Sequence, residues 1–102
     1  MNPWAGEVAV VVNGQSHTAK LTLGALASLE AGLGADSLMG LIGRFEGGTF
    51  TTRDVVAVLV AGLNAGGWTG DAAALMAADV EGGPMAAARH AAELLARAFR
   101  AP

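Results

Sequence analysis

Cysteine is missing from this sequence of 102 residues, which excludes disulfides, thiolate metal ligands and thiol nucleophiles. Charge is sparse: nine Asp and Glu stand against six Lys and Arg, and the cations are scattered. Neutralising a phosphate backbone takes a clustered basic surface, so no nucleic-acid partner is expected. Long apolar runs are lacking too. The longest, Val55 to Leu63, is about half of what a bilayer span requires. The opening Met-Asn-Pro-Trp-Ala-Gly-Glu has neither the basic residues nor the apolar stretch of a secretion signal, so a cytoplasmic location is expected.

What is present suits one small domain spanning 1–102. A chain of this length buries roughly two thirds of its unfolded surface and folds without covalent staples. Alanine is abundant and there are 15 glycines. Small side chains bury little area each, so helices have to pack closely around a few Leu, Val, Ile, Met and Phe anchors.

A hairpin is expected over about 7–21. Asn13-Gly14 separates two β-prone runs, and a type I′ turn needs positive φ at both central residues. A two-residue loop pairs Val12 with Gln15, Val10 with His17, Val8 with Ala19 and Glu7 with Lys20. Val8, Val10, Val12, His17, Ala19 and Leu21 then share an inner face, and the Glu7 and Lys20 pair adds a little charge complementarity. A two-stranded ribbon is marginal alone, so this face must lie on helices.

Five helices follow in expectation. The first, about 23–33, is capped by Thr22, turns Leu23, Leu26, Leu29 and Leu33 inward and ends at Gly34. A second, about 37–45, is capped by Asp36 or Ser37 and buries Leu38, Leu41, Ile42 and Phe45. Gly47-Gly48 breaks the chain, and Thr51 with Asp54 approximates a capping box for a third, about 52–64. That helix is apolar nearly all round and should be central. After Gly66-Gly67 come a short helix, about 71–78, and a last one, about 84–100, with Pro84 in its first turn. Met85, Ala88, Ala92, Leu95 and Phe99 form its apolar seam, and Arg89, Glu93, Arg97 and Arg100 a solvated stripe. The fold class is α+β: an N-terminal antiparallel hairpin packed against four to five short helices.

Catalytic equipment is not found. His17 and His90 have no neighbouring ligand at metal spacing, so they read as a half-buried strand residue and a surface helix residue. Ser16, Ser28 and Ser37 lie outside any Gly-x-Ser-x-Gly, and no phosphate-binding glycine loop follows a strand. Glu30, Glu46, Glu81 and Glu93 read as solvated faces and helix ends. No enzyme activity, metal or cofactor is expected.

Features of binding surfaces remain. Trp4 and Trp68 fall in irregular segments, where a Trp either anchors an interface or closes an open end of an alanine-rich core. The outer edge of the hairpin, at Val11 and Ala9, can accept another strand or be covered by the N-terminal arm. Trp4, Val11 and Trp68 are the candidate partner contacts.

Four segments carry a resemblance. Lys-Leu-Thr-Leu-Gly-Ala-Leu-Ala-Ser-Leu-Glu (20–30), Thr-Thr-Arg-Asp-Val-Val-Ala-Val-Leu-Val-Ala-Gly-Leu (51–63), Glu-Gly-Gly (81–83) and Ala-Ala-Glu-Leu-Leu-Ala-Arg-Ala-Phe (91–99) resemble, in this order, the small tail proteins of gene transfer agents and prophages. That family is grouped with phage tail assembly chaperones and is sometimes labelled a tail tube protein. The resemblance implies a non-enzymatic role in virion morphogenesis in a bacterial cytoplasm, with the tail tape-measure protein and the tail tube protein as partners. A structural component retained in the particle is the alternative, and self-association is compatible with either. No catalytic residue is carried over.

Overall fold

A computed structural model describes residue 2 and residues 5–99 of the chain. Its elements run β1 (Val8–Val12), β2 (Gln15–Ala19), α1 (Leu23–Gly32), α2 (Leu38–Gly47), α3 (Thr52–Ala65), α4 (Ala72–Ala77) and α5 (Gly83–Ala98). An antiparallel hairpin thus precedes five helices, the α+β arrangement read from the sequence.

The hairpin register is the expected one, Val12 with Gln15, Val10 with His17 and Val8 with Ala19. Asn13 and Gly14 both have positive φ, 50° and 79°, as a type I′ turn requires. Val8, Val10, Val12, Ala19 and Leu21 are buried, and His17 is half-buried. The Glu7 and Lys20 pair does not form. The ladder stops at Val8 and Ala19, and Gly6, with φ at 80°, departs from strand conformation just before it. The Lys20 amide donates to the Gly62 carbonyl at 3.0 Å, while the Glu7 carboxylate accepts the Asn2 amide and the Glu7 carbonyl accepts the Arg97 guanidinium.

Helix α3 is central, packing against α1, α4, α5 and β2. It buries Val55, Val58, Leu59, Gly62 and Leu63 along one stripe. Leu29 of α1, Leu41 of α2, Leu75 of α4 and Leu94 of α5 complete the core around it. Two close approaches depend on missing side chains. A Cβ on Gly62 would lie 3.0 Å from a Leu94 methyl and 3.4 Å from the Ala19 Cβ; one on Gly66 would lie 1.6 Å from the Thr18 carbonyl oxygen. The C-terminal end of α3 therefore rests directly on the β2 backbone.

The helix starts follow local chemistry. Thr22, Ser37 and Asp71 each accept an amide of the first turn with a side-chain oxygen, at 3.0, 2.9 and 2.8 Å. Thr51 and Asp54 close a full capping box although Asp is shorter than the usual Glu.

Two helix faces differ from expectation. Leu23 is 86% exposed, whereas Leu29 is buried as expected and Ala25 joins it. At 3.6 residues per turn Leu23 lies roughly 110° from the centre of the stripe made by Ala25, Leu26, Leu29 and Leu33. Helix α5 is rotated by roughly 100° from its expected seam. Ala86, Ala91, Leu94 and Leu95 are buried, whereas Met85 is 79% and Phe99 46% exposed. The small residues Ala86 and Ala91 let the helix approach the core closely, and that gain outweighs burying Met85. The rotation carries Arg97 off the solvated stripe and onto the Glu7 carbonyl; Arg100 lies outside the described residues.

Candidate interaction surface

The segment between α4 and α5 returns to the hairpin. Val80 bridges Val12 in antiparallel fashion. The Asn13 amide donates to the Asp79 carbonyl at 2.8 Å, the Glu81 amide to the Val11 carbonyl at 3.0 Å, and the Asp79 amide to Asn13 Oδ1 at 2.9 Å. The outer edge of β1, expected to be open to another strand or covered by the N-terminal arm, is closed at Val11 by residues 79–81 instead.

Val11 is half-buried there and borders a shallow groove with Ser16, Val80 and Glu81. Trp68 is half-buried at another place, edge-on to His17 with ring centroids 6.5 Å apart. Its amide donates to the Leu63 carbonyl at 2.9 Å, and its carbonyl accepts the Asn64 side-chain amide at 2.8 Å. Gly70 lies directly under the indole, since a Cβ there would fall 2.2 Å from the ring. Trp68 is packed against the core as a closing side chain. Trp4 lies outside the described residues. His90 is half-buried, not a surface residue, and its Nδ1 is enclosed without a hydrogen-bond partner.

One concavity was not expected from the sequence. Helices α3, α4 and α5 leave between them a groove of about 500 Å³. Val56 and Leu59 form its floor side on α3, Leu75 and Met76 line it from α4, and Met85 and Ala88 from α5. Met76 is 65% exposed and Met85 is exposed too, so two flexible thioether side chains border it, one from α4 and one from α5. The polar lining comprises Thr51, Thr52 and Asp79, and the Thr51 hydroxyl is committed to the Asp54 amide at 3.2 Å. One signal does point to it. Helix α3 is apolar nearly all round but buries one stripe, which leaves Val56 and Val60 half-covered on its flank.

Electrostatic organisation lies elsewhere, at the start of α3. Arg44 hydrogen-bonds to both Asp54 and Asp36. These bonds hold the carboxyl groups of Asp54 and Asp36 below the usual carboxylate range and raise the Arg44 guanidinium. Among the described residues no group of three or more His, Asp or Glu side chains is placed to hold a metal ion. No helix among them is long and apolar enough to cross a membrane.

The model of a family described as phage tail tube protein, GTA-gp10, matches residues 5–101. The chain belongs to this family. The match takes in every element from β1 to α5, and with it all four segments that resemble gene transfer agent and phage tail proteins. No curated protein and no solved structure matches the chain. A tail-related role is therefore the setting in which the groove and the closed sheet edge have to be understood.

Proposed function

We propose that this tail-family protein is a non-enzymatic assembly chaperone, acting in the bacterial cytoplasm and binding the tail tape-measure protein, the tail tube protein, or both. The observation that carries the reading is the apolar groove between α3, α4 and α5, walled by exposed Met76 and Met85. Methionine adapts its shape to different apolar surfaces, which suits a protein that holds a partner during assembly and then lets it go. A polar rim with an apolar interior is what partner docking asks for, and catalysis would ask for convergent polar groups.

A second reading, a structural component retained in the particle, is favoured by the family's description as a tail tube protein. Ring closure by sheet extension has little to build on here. Among the described residues the sheet has two strands of five residues each, and the β1 edge is occupied at Val11 and Asn13.

Co-expression with the tape-measure protein separates the two. Under the chaperone reading the tape-measure protein stays soluble and co-purifies, deletion of this chain stops tail formation, and purified particles lack it. A tape-measure protein that is equally soluble alone and never co-purifies defeats the chaperone reading. Stoichiometric presence in purified particles establishes the structural one.

A further inference from the structure

We propose that the groove takes an amphipathic helix whose apolar face is flanked by Lys or Arg; this rests on the reading above that the groove is a docking surface. The apolar part follows from the walls. Val56, Leu59, Leu75, Met76 and Met85 offer an apolar groove between helices, a surface suited to a helix presenting residues at i, i+3 or i+4 and i+7.

The charge of the partner follows from the surroundings. Asp79 is the one charged residue lining the groove among the described residues. Asp79 and Val80 also line the adjoining shallow groove, whose other border carries Glu81. From Val55 to Ala88 the sequence contains Asp71, Asp79 and Glu81 and no Lys or Arg. The nearest cations along the chain, Arg53 and Arg89, are exposed and do not line the groove. The charged residues on and beside α4 are thus all acidic, on a chain whose net charge is −3. Anionic lipid surfaces and nucleic acids are repelled by such a rim, and a helix with a basic flank is attracted. Asp79 and Glu81 make their hydrogen bonds to the hairpin through the backbone, and both residues are exposed.

The test uses the full chain and three labelled model peptides of equal length read by fluorescence anisotropy: a Leu-faced helix flanked by Lys, the same helix flanked by Glu, and the Lys peptide with a central Pro. The expected order is Lys-flanked tightest, Glu-flanked weaker by about tenfold, and the Pro peptide weaker still because it cannot complete the helix. Binding of the Lys peptide should weaken as salt rises. Met76→Ser with Met85→Ser should lower its affinity about tenfold, since both side chains are exposed and the fold does not need them. Asp79→Lys should bring the Lys-flanked and Glu-flanked peptides to similar affinity, with thermal melting used to verify that the variant stays folded.

Equal binding of the Lys and Glu peptides to the unaltered chain overturns the inference. So does undiminished binding in the double Met variant, or a concentration-dependent dimer that this variant abolishes, which would assign the groove to a second copy. The two levels fail separately. If the tape-measure protein co-purifies as well with Asp79→Lys and the double Met variant as with the unaltered chain, the groove assignment is wrong while the chaperone reading stands. If it never co-purifies but the peptide pattern holds, the chaperone reading is wrong while the helix-binding groove stands.

Discussion

Arg44 of α2 holds Asp54 of α3 through two hydrogen bonds of 2.9 Å, Nε to Oδ2 and Nη2 to Oδ1. Its remaining Nη1 reaches Asp36, just before the cap of α2. Asp54 also accepts the Thr51 amide at 2.9 Å, so one carboxylate closes the capping box of α3 and anchors the neighbouring helix. Helix α2 needs this anchor, because it fully buries only Leu41. Stacking of the adjacent Phe45 on Phe50, with centroids 4.8 Å apart, ties the same C-terminal end of α2 to the start of α3.

Replacing Arg44 by Met should therefore loosen α2 first. The Asp54 side chain is 11% exposed and that of Arg44 29%, so the pair is partly screened by solvent and its loss should lower Tm measurably but by less than loss of a fully buried pair. Hydrogen exchange should accelerate in α2 more than in α3. Unchanged exchange in α2 would show that Leu41 and the Phe pair suffice.

The same contact sets an acid limit. The Arg44 hydrogen bonds hold the Asp54 carboxyl below its ordinary value, helped by the Thr51 amide and opposed by burial. A depressed folded-state value means that the unfolded chain takes up the proton first, at about pH 3.9. The stabilisation is complete above that pH and is lost as pH falls through the lower folded value. Asp36 contributes in the same direction, held down first by its own Arg44 hydrogen bond. Urea melts of the unaltered chain and of Arg44→Met should converge below about pH 4 and differ fully at pH 7. A gap that stays constant down to pH 2 would rule this linkage out.

Glycines at two places should respond oppositely to alanine. Gly66→Ala puts a methyl onto the Thr18 carbonyl, which is backbone and cannot swing away. The end of α3 must lift from β2, straining the bond from the Lys20 amide to the Gly62 carbonyl, at a cost of about 3 kcal/mol. Gly43 lies inside α2, and a Cβ there meets nothing within 4 Å. Gly43→Ala should stabilise by about 0.5–1 kcal/mol. Two thermal melts check both signs.

Much of this fold is legible because its punctuation is local. Asn13-Gly14, Thr22, Ser37, Thr51 and Asp71 each act on residues within a turn, so the hairpin register and the helix starts can be read along the chain. The rotation of α5 is not local. Large side chains suggest a seam through Met85 and Phe99, yet close packing of helices selects Ala86 and Ala91. Likewise the closure of the β1 edge joins residues 66 positions apart, and no propensity of Asp79 or Glu81 announces it. The groove depends on how three helices are placed, so only its α3 wall, in the surplus apolar flank at Val56, leaves a mark in the sequence.

Trp68 illustrates the difference between a contact candidate and a packing residue. Its indole meets His17 edge-on and covers Gly70, so truncation to Ala removes a half-buried ring and should cost about 2 kcal/mol. Partner capture by folded Trp68→Ala at low temperature should match that of the unaltered chain, because the groove lining does not include Trp68. Selective loss of capture with an unchanged Tm would instead make Trp68 an interface anchor.

Asn13 has two separable duties. Its backbone adopts positive φ, and its side-chain oxygen accepts the Asp79 amide that secures residues 79–81 to β1. Asn13→Gly keeps the first and removes the second; Asn13→Ala removes both; Asn13→Asp preserves both. The expected order of stability is Asp nearly equal to Asn, then Gly about 1 kcal/mol lower, then Ala about 2 kcal/mol lower. In the Gly and Ala variants the Glu81 amide, which binds the Val11 carbonyl, should lose exchange protection before the strand pairs between β1 and β2 do. Releasing that segment bares the β1 edge, and an unpaired edge recruits strands from other chains. Sedimentation should accordingly show concentration-dependent association in Asn13→Ala and Asn13→Gly, with Asn13→Asp behaving as the unaltered chain. Equal protection of Glu81 in all four proteins would mean that Val12 and Val80 hold the edge closed without the help of the turn.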